Sequence, residues 1–191
     1  MIQSKEDLRD YLNRDKIALG RSYNIPKPWG GGDLIYQFER ALRYCEYYKN
    51  CRKSVIDKVL YVFWWWRKQR LEVKCGFTVP LNVADKGLAL VHRGTIVIST
   101  KAIIGENCRI HAGVNIGVSA GTGDAAPIIG NNVYIGPGAK VFGKIRIADG
   151  VAIGANAVVN KDVDKENVTV VGVPAHISSY KGSEGFINLP S

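Results

Sequence analysis

Along the second half of the chain an aliphatic side chain returns at every sixth position. In "NVYIGPGAKVFGKIRIADGVAIGANAVV", residues 132–159, these are Ile135, Val141, Ile147, Ile153 and Val159. Upstream the same spacing joins Ile104, Ile110 and Ile116, and Ile129 opens the later run. Four residues after each anchor lies a second column of small or apolar residues, from Cys108 and Val114 through Val133, Ala139 and Ile145 to Val151, Ala157 and Val163. An α-helix repeats near 3.6 and a strand at 2, so neither accounts for a period of six. A very short parallel strand followed by a sharp turn does. Three such hexads close a triangular coil, and stacked coils bury the anchors in ladders. Gly, Asn and Asp at the corners accept the positive φ angles that the turns impose. The pattern predicts a β-helical prism of about five coils at ~18 residues per coil.

The period fails in two places. Ile116 and Ile129 are thirteen positions apart rather than twelve, so "GVSAGTGDAAP" must contain a loop that leaves the coil. Loops extruded from a rigid scaffold are where function concentrates. Stepping back by six from Ile104 gives Ile98 and then His92. A buried imidazole at an anchor position is costly, so a phase slip around residues 93–100 is expected to turn His92 outward.

Residues 1–75 follow a helical pattern instead. Ser4 and Asp7 open "SKEDLRDYLNRDKIAL" as a near capping box. Two prolines and three glycines in "RSYNIPKPWGGG" break that helix. Asp33 is expected to cap a second helix whose inward stripe is Leu34, Gln37, Phe38, Ala41, Leu42 and Cys45, with Glu39, Arg40 and Arg43 turned elsewhere. Ser54 is expected to cap a third, "SVIDKVLYVFWWWRKQRL". The organisation read from this is a helical segment over 1–75, the β-helix over 76–178 and a tail over 179–191.

Charge sharpens the division. Of the net +9, residues 1–75 carry 16 Lys+Arg against 9 Asp+Glu, and the remainder 10 against 8. In "FWWWRKQRLEVK" tryptophans meet cations, which reads either as a peripheral membrane contact through residues 59–70 or as aromatics packed on the neighbouring domain with the basic tip in water. Packing is the expected role. No nucleic-acid-binding motif accompanies the basic patch, so nucleic acid is not an expected partner. The apolar run "VLYVFWWW" is much shorter than the ~20 residues a membrane span needs, and "MIQSKEDLRD" lacks the apolar core of a signal peptide. Cys45, Cys51, Cys75 and Cys108 form no C-x-x-C pair and suggest reduced thiols with no metal site. A cytoplasmic location is expected, with the inner membrane face as its extension.

The stretches "GLALVHRGTIVISTKAIIGENCRIHAGVNIG", "PIIGNNVYIGPGAKVFGKIRIADGVAIGANAVVNKDV" and "VVGVPAH" resemble the hexapeptide acyltransferases of the serine acetyltransferase type. The resemblance covers residues 76–178. It implies a mainly β fold, a left-handed parallel β-helix, despite the right-handed rule for most parallel crossovers. It also implies a homotrimer with acetyl-CoA as donor, no metal, and an active site between neighbouring prisms. His92 matches the family's general base, although Val91 stands where Asp is usual. An imidazole suits that task because its pKa lies near neutrality. His111, nineteen residues on, lies about one coil away and is the second candidate catalytic residue, where it positions His92 or hydrogen-bonds substrate, the alternative being a satisfied corner histidine. His176 is read as structural. By the same resemblance Gly117, Gly136, Ala139 and Ala155 lie along the pantetheine arm, and Lys161 meets the adenosine phosphates.

Departures from the family bear on the acceptor. Phe77 in "FTVP" replaces the Asp that pairs with the catalytic His, and Ala126 in "DAAPII" replaces a second His. The amino-terminal helical part is also short for a true serine acetyltransferase. The pattern resembles the short relatives of surface-polysaccharide pathways, such as colanic acid acetyltransferases. These features predict an acceptor site poor in charge and a sugar hydroxyl as acceptor, with His92 as base. L-Serine is the alternative within the same chemistry, and a non-catalytic β-helix serving as an interaction module is the alternative outside it. "GSEGFINLPS" lacks the terminal Ile by which such modules dock.

Overall fold

A computed structural model describes residues 1–24, 33–120 and 125–189. Its carboxy-terminal part is a coil of short strands. They are β1 (Phe77–Thr78), β2 (Ala89–Val91), β3 (Ile96–Ile98), β4 (Ile103–Ile104), β5 (Arg109–His111), β6 (Asn115–Gly117), β7 (Ile128–Ile129), β8 (Tyr134–Ile135), β9 (Lys140–Phe142), β10 (Arg146–Ile147), β11 (Ala152–Ile153), β12 (Val158–Val159), β13 (Thr169–Val171) and β14 (His176–Ser179). They form three faces. Face A is β1-β3-β6-β9-β12, face B is β4-β7-β10, and face C is β2-β5-β8-β11-β13-β14. All pairings are parallel except that of β13 with β14, which turns back to close the last coil.

The anchors stack as the hexad period requires. On face C, Leu90, Ile110, Ile135, Ile153 and Val170 lie in register. On face A, Ile98, Ile116, Val141 and Val159 do so, and on face B, Ile104, Ile129 and Ile147. None of these side chains is more than 3% exposed. The second column, from Cys108 to Val163, is buried as well. Enclosure in this ladder pushes the Cys108 thiol up to about 12. The corners use left-handed backbone at Asn107, Asn132, Asn156 and Asn167. Gly138 shows why small residues sit beside them: at φ 76, an added Cβ would stand 2.0 Å from the Asn156 side-chain oxygen.

Register also locates both irregularities. Ile129 pairs with Ile147 and Ile135 with Ile153, eighteen residues apart, but Ile104 pairs with Ile129 and Ile110 with Ile135, twenty-five apart. Seven extra residues therefore lie between β6 and β7, where the count of thirteen against twelve implied one, and residues 121–124 of the expected loop lie outside the described residues. Leu90 pairs with Ile110 at a separation of twenty. Those two extra residues lie in the turn between β2 and β3, and they turn His92 out of the core.

The helices are α1 (Lys5–Ala18), α2 (Leu34–Cys51) and α3 (Val55–Cys75). Ser4 caps α1 by accepting the Asp7 amide, and Ser54 caps α3 in a reciprocal box with Asp57. The break over residues 25–32 lies outside the described residues. Three expectations change. Asp33 holds the N-cap position of α2 without a side-chain cap, because its carboxylate pairs with Arg21 at 3.5 Å. Glu39 and Arg43, expected on the outer face of α2, are fully buried. Arg43 joins α1, α2 and the first coil: it donates to Asp15 (2.7 Å), Glu46 (3.0 Å) and the carbonyls of Ala84 (2.8 Å) and Asp85 (2.7 Å). Its long polar side chain fits there because every neighbour accepts a hydrogen bond. The third correction concerns α3. Trp64 stacks on Tyr44 at 4.3 Å, but Phe63, Trp65 and Trp66 face outward rather than packing on the coil. One continuous core nevertheless joins Phe38, Leu42, Leu71 and Cys75 to the first coils.

Candidate active site

His92 sits on the longer turn, at φ 66, a left-handed conformation that His tolerates better than most residues. The turn is held from several sides. The Leu90 amide donates to the buried Glu39 carboxyl at 2.8 Å, and the Gly94 amide to the Cys75 carbonyl at the end of α3 at 2.9 Å. The Ala112 amide donates to the Val91 carbonyl at 3.1 Å. Burial, with the Asp15 charge second, pushes Glu39 well above the usual carboxylate range. These bonds fix the backbone while the His92 ring stays exposed.

A row of rings runs from His92 across face C. His111 lies 6.0 Å away, Tyr134 is 5.1 Å from His111, and Phe186 of the tail is 5.0 Å from Tyr134. The tail reaches this point because Ser183 bonds Gly150 and Asn188 bonds the Ala18 carbonyl. Burial, then the Arg109 and His92 charges, holds the His111 pKa below its usual value, which favours the neutral ring. Its Nε2 is enclosed without a partner. Among the described residues no carboxylate bonds to His92. Phe77, at the position of the family's Asp, packs edge-on against Phe38 at 5.2 Å instead. Ala126 is buried.

Beside His92 opens a cavity of about 390 Å³. Leu34, Ile35 and Leu90 give it an apolar wall, and Arg21, Arg93 and Arg109 line it with His92. Arg21 is partly neutralised by Asp33. Among the described residues no carboxylate lines the cavity. Three guanidiniums thus line the cavity beside the candidate base, where the sequence had suggested few charges. The sequence did carry a signal for Arg109, which precedes an anchor and so projects outward. It held none for Arg21, which folding brings in from the end of α1.

Face A carries a second recess, a groove of about 520 Å³ beside the extruded loop, lined by Val97, Asn115, Gly117, Ser119, Lys140 and Phe142. Gly117 has open space where a Cβ would be. Gly136 and Ala155 stack at the corner between faces C and A, below the His92 turn, and Ala155 is exposed. Lys161 is exposed beyond β12, at the opposite edge of face A. Ala139 is a correction. Its side chain lies in the core, its amide bonds Gly136 at 3.3 Å and its carbonyl accepts from Asn115 at 3.1 Å. It presents no side chain or free amide to a ligand.

Residues 126–161 match the family model described as bacterial transferase hexapeptide (six repeats). A serine acetyltransferase of Synechococcus elongatus is 41% identical over 93 residues, 48% of this chain and 38% of that protein. The crystal structure of Neisseria gonorrhoeae serine acetyltransferase superposes with a TM-score of 0.65 at 26% identity, over 98% of this chain and 70% of that one. Brucella abortus serine acetyltransferase in complex with coenzyme A gives 0.62 at 26% identity, over 93% and 68%. The matched segment spans less than half the length of the Synechococcus protein. The colanic acid subtype finds no match among these relatives. Through its coil this chain is thus similar to the serine acetyltransferases, with a hexapeptide-repeat match over residues 126–161.

Proposed function

We propose that this chain is an acetyl-CoA-dependent O-acetyltransferase, wound as a left-handed coil, whose acceptor carries an anionic group. The observation that carries the reading is His92 standing exposed beside a cavity lined by Arg21, Arg93 and Arg109. The imidazole takes the proton of the acceptor hydroxyl as its oxygen attacks the thioester carbon. The new C–O bond forms, the C–S bond breaks, and the proton passes to the departing thiolate. His111, half-buried with its ring 6.0 Å from that of His92, positions the base. The groove on face A, lined by Gly117, receives the coenzyme, with Gly136 and Ala155 at one corner of that face and Lys161 beyond its other edge. An exposed base at a prism corner is suited to a site shared between neighbouring prisms, as in a homotrimer.

L-Serine fits best among the acceptors, since the relatives bear that name and its carboxylate meets the guanidiniums. A second reading rests on the cationic lining by Arg21, Arg93 and Arg109, among which the described residues offer a serine ammonium no carboxylate. A sugar bearing a phosphate would meet the same cations without that cost. A neutral sugar loses the support it had from a charge-poor site. The test is acetyl-CoA consumption with L-serine, a sugar phosphate and a neutral sugar at matched concentrations. The expected result is that an anionic acceptor gives the highest kcat/KM, and a neutral sugar in first place would overturn the reading.

The cations should also act on binding more than on chemistry. Arg93→Ala is expected to raise the acceptor KM by about tenfold or more with kcat changed little, because a hydrogen bond to a charged group contributes about 1.5–3 kcal/mol. An unchanged KM in initial-rate kinetics would remove Arg93 from the acceptor site.

A further inference from the structure

α3 buries one side and leaves the other bare. Leu71 and Cys75 enter the core, and Trp64 stacks on Tyr44. On the opposite side Val55, Val59, Val62, Trp66 and Val73 project outward along one line of the helix, with Phe63 beside them. Each is between 48% and 85% exposed. An apolar stripe from Val55 to Trp66, resumed at Val73 after Gln69 and Arg70, calls for a partner on a water-facing helix.

The charges around the stripe identify it. Arg52, Lys53, Lys58, Arg70 and Lys74 are exposed on this segment. The two acids of α3's own length are engaged elsewhere: Asp57 closes the cap with Ser54, and Glu72 pairs with the buried Lys68. The outward surface therefore combines aliphatic and indole groups with cations and no free carboxylate. No described helix is long and apolar enough to cross a membrane. We propose that this face of α3 docks on a lipid bilayer with anionic headgroups, the helix lying in the plane of the interface. Indoles favour the headgroup level, and cations near an anionic leaflet each add to the attraction. A second copy of the same face is the poorer partner, because it would set like charges against each other.

Co-sedimentation of the full chain with phosphatidylcholine vesicles containing phosphatidylglycerol, against pure phosphatidylcholine, tests this. Binding should be at least about tenfold tighter to the anionic vesicles and should weaken as salt screens the cations. Indole emission should shift to the blue on binding. Val62→Glu/Trp66→Glu, both exposed positions, should abolish binding while the melting temperature and the sedimentation coefficient stay those of the parent. Lys58→Glu/Arg70→Glu should weaken binding to the anionic vesicles alone. Absence of vesicle binding, or equal binding to both compositions, would overturn the proposal. So would a changed sedimentation coefficient of the Val62→Glu/Trp66→Glu protein, which would make the face a contact between copies.

Discussion

Replacing His92 with alanine should reduce acetyl transfer by about 10²–10⁴-fold while leaving the coil folded. The ring is exposed and contributes nothing to the ladders, so its removal takes away a proton acceptor rather than packing. The backbone needs a control, because φ is 66 at this position and alanine adopts that conformation less readily than histidine. His92→Asn supplies it: Asn accepts left-handed backbone, as it does at the corners Asn107 and Asn132, yet its amide takes no proton at neutral pH. Both variants should lose the same fraction of kcat, with melting temperatures close to the parent's. Turnover of His92→Asn within a few-fold of the parent would remove His92 from the reaction. In that case His111 is a poor substitute, since its pKa is depressed by burial and its Nε2 is enclosed.

The prism was legible in the sequence because its rule is local. An anchor every six residues is a property of the chain, and the register of Ile110, Ile135 and Ile153 follows from counting. The outward turn of His92 was legible for the same reason, since an imidazole on an unbroken anchor column conflicts with burial. The gathering of arginines beside His92 was not legible. Replacement of a family's Asp and His by Phe77 and Ala126 suggests an uncharged site only if no other charge enters. Arg21 and Arg93 enter from the end of α1 and from the lengthened turn, and neither shares the period of the coil. The burial of Arg43 and Glu39 was hidden for a related reason. Helical periodicity assigns charged residues to water, whereas here Asp15 of α1 and the carbonyls of Ala84 and Asp85 arrive to pair with Arg43. For α3, composition gave apolar, aromatic and basic residues together but could not say which the core would take. Only Lys68, Leu71 and Cys75 go inside, Lys68 with its ammonium paired to Glu72.

Ile153→Asp should yield no folded protein. Ile153 has no exposed surface and stands in the face C ladder between Ile135 and Val170, both equally enclosed. A carboxylate at that point meets only aliphatic side chains, and the strand amides and carbonyls around it are already paired. The Gly136 amide bonds the Ile153 carbonyl at 2.8 Å, and the Gly154 amide bonds Val170 at 2.8 Å. An isolated buried carboxylate costs several kcal/mol even after it takes up a proton. A domain's whole stability is about 5–15 kcal/mol, so this one change consumes much of it. The ladder makes matters worse, because each coil rests on the next and a disrupted rung removes its neighbours' contacts as well. Ile153→Val separates this cause from general sensitivity at the site. It deletes one methylene, should cost about 0.5–1.5 kcal/mol, and should give soluble protein with a modestly lower melting temperature. Soluble yield and thermal melting followed by circular dichroism measure both. An Ile153→Asp protein that melted cooperatively at the parent's temperature would show that Ile153 is not the inward anchor, and the hexad phase would fall with it.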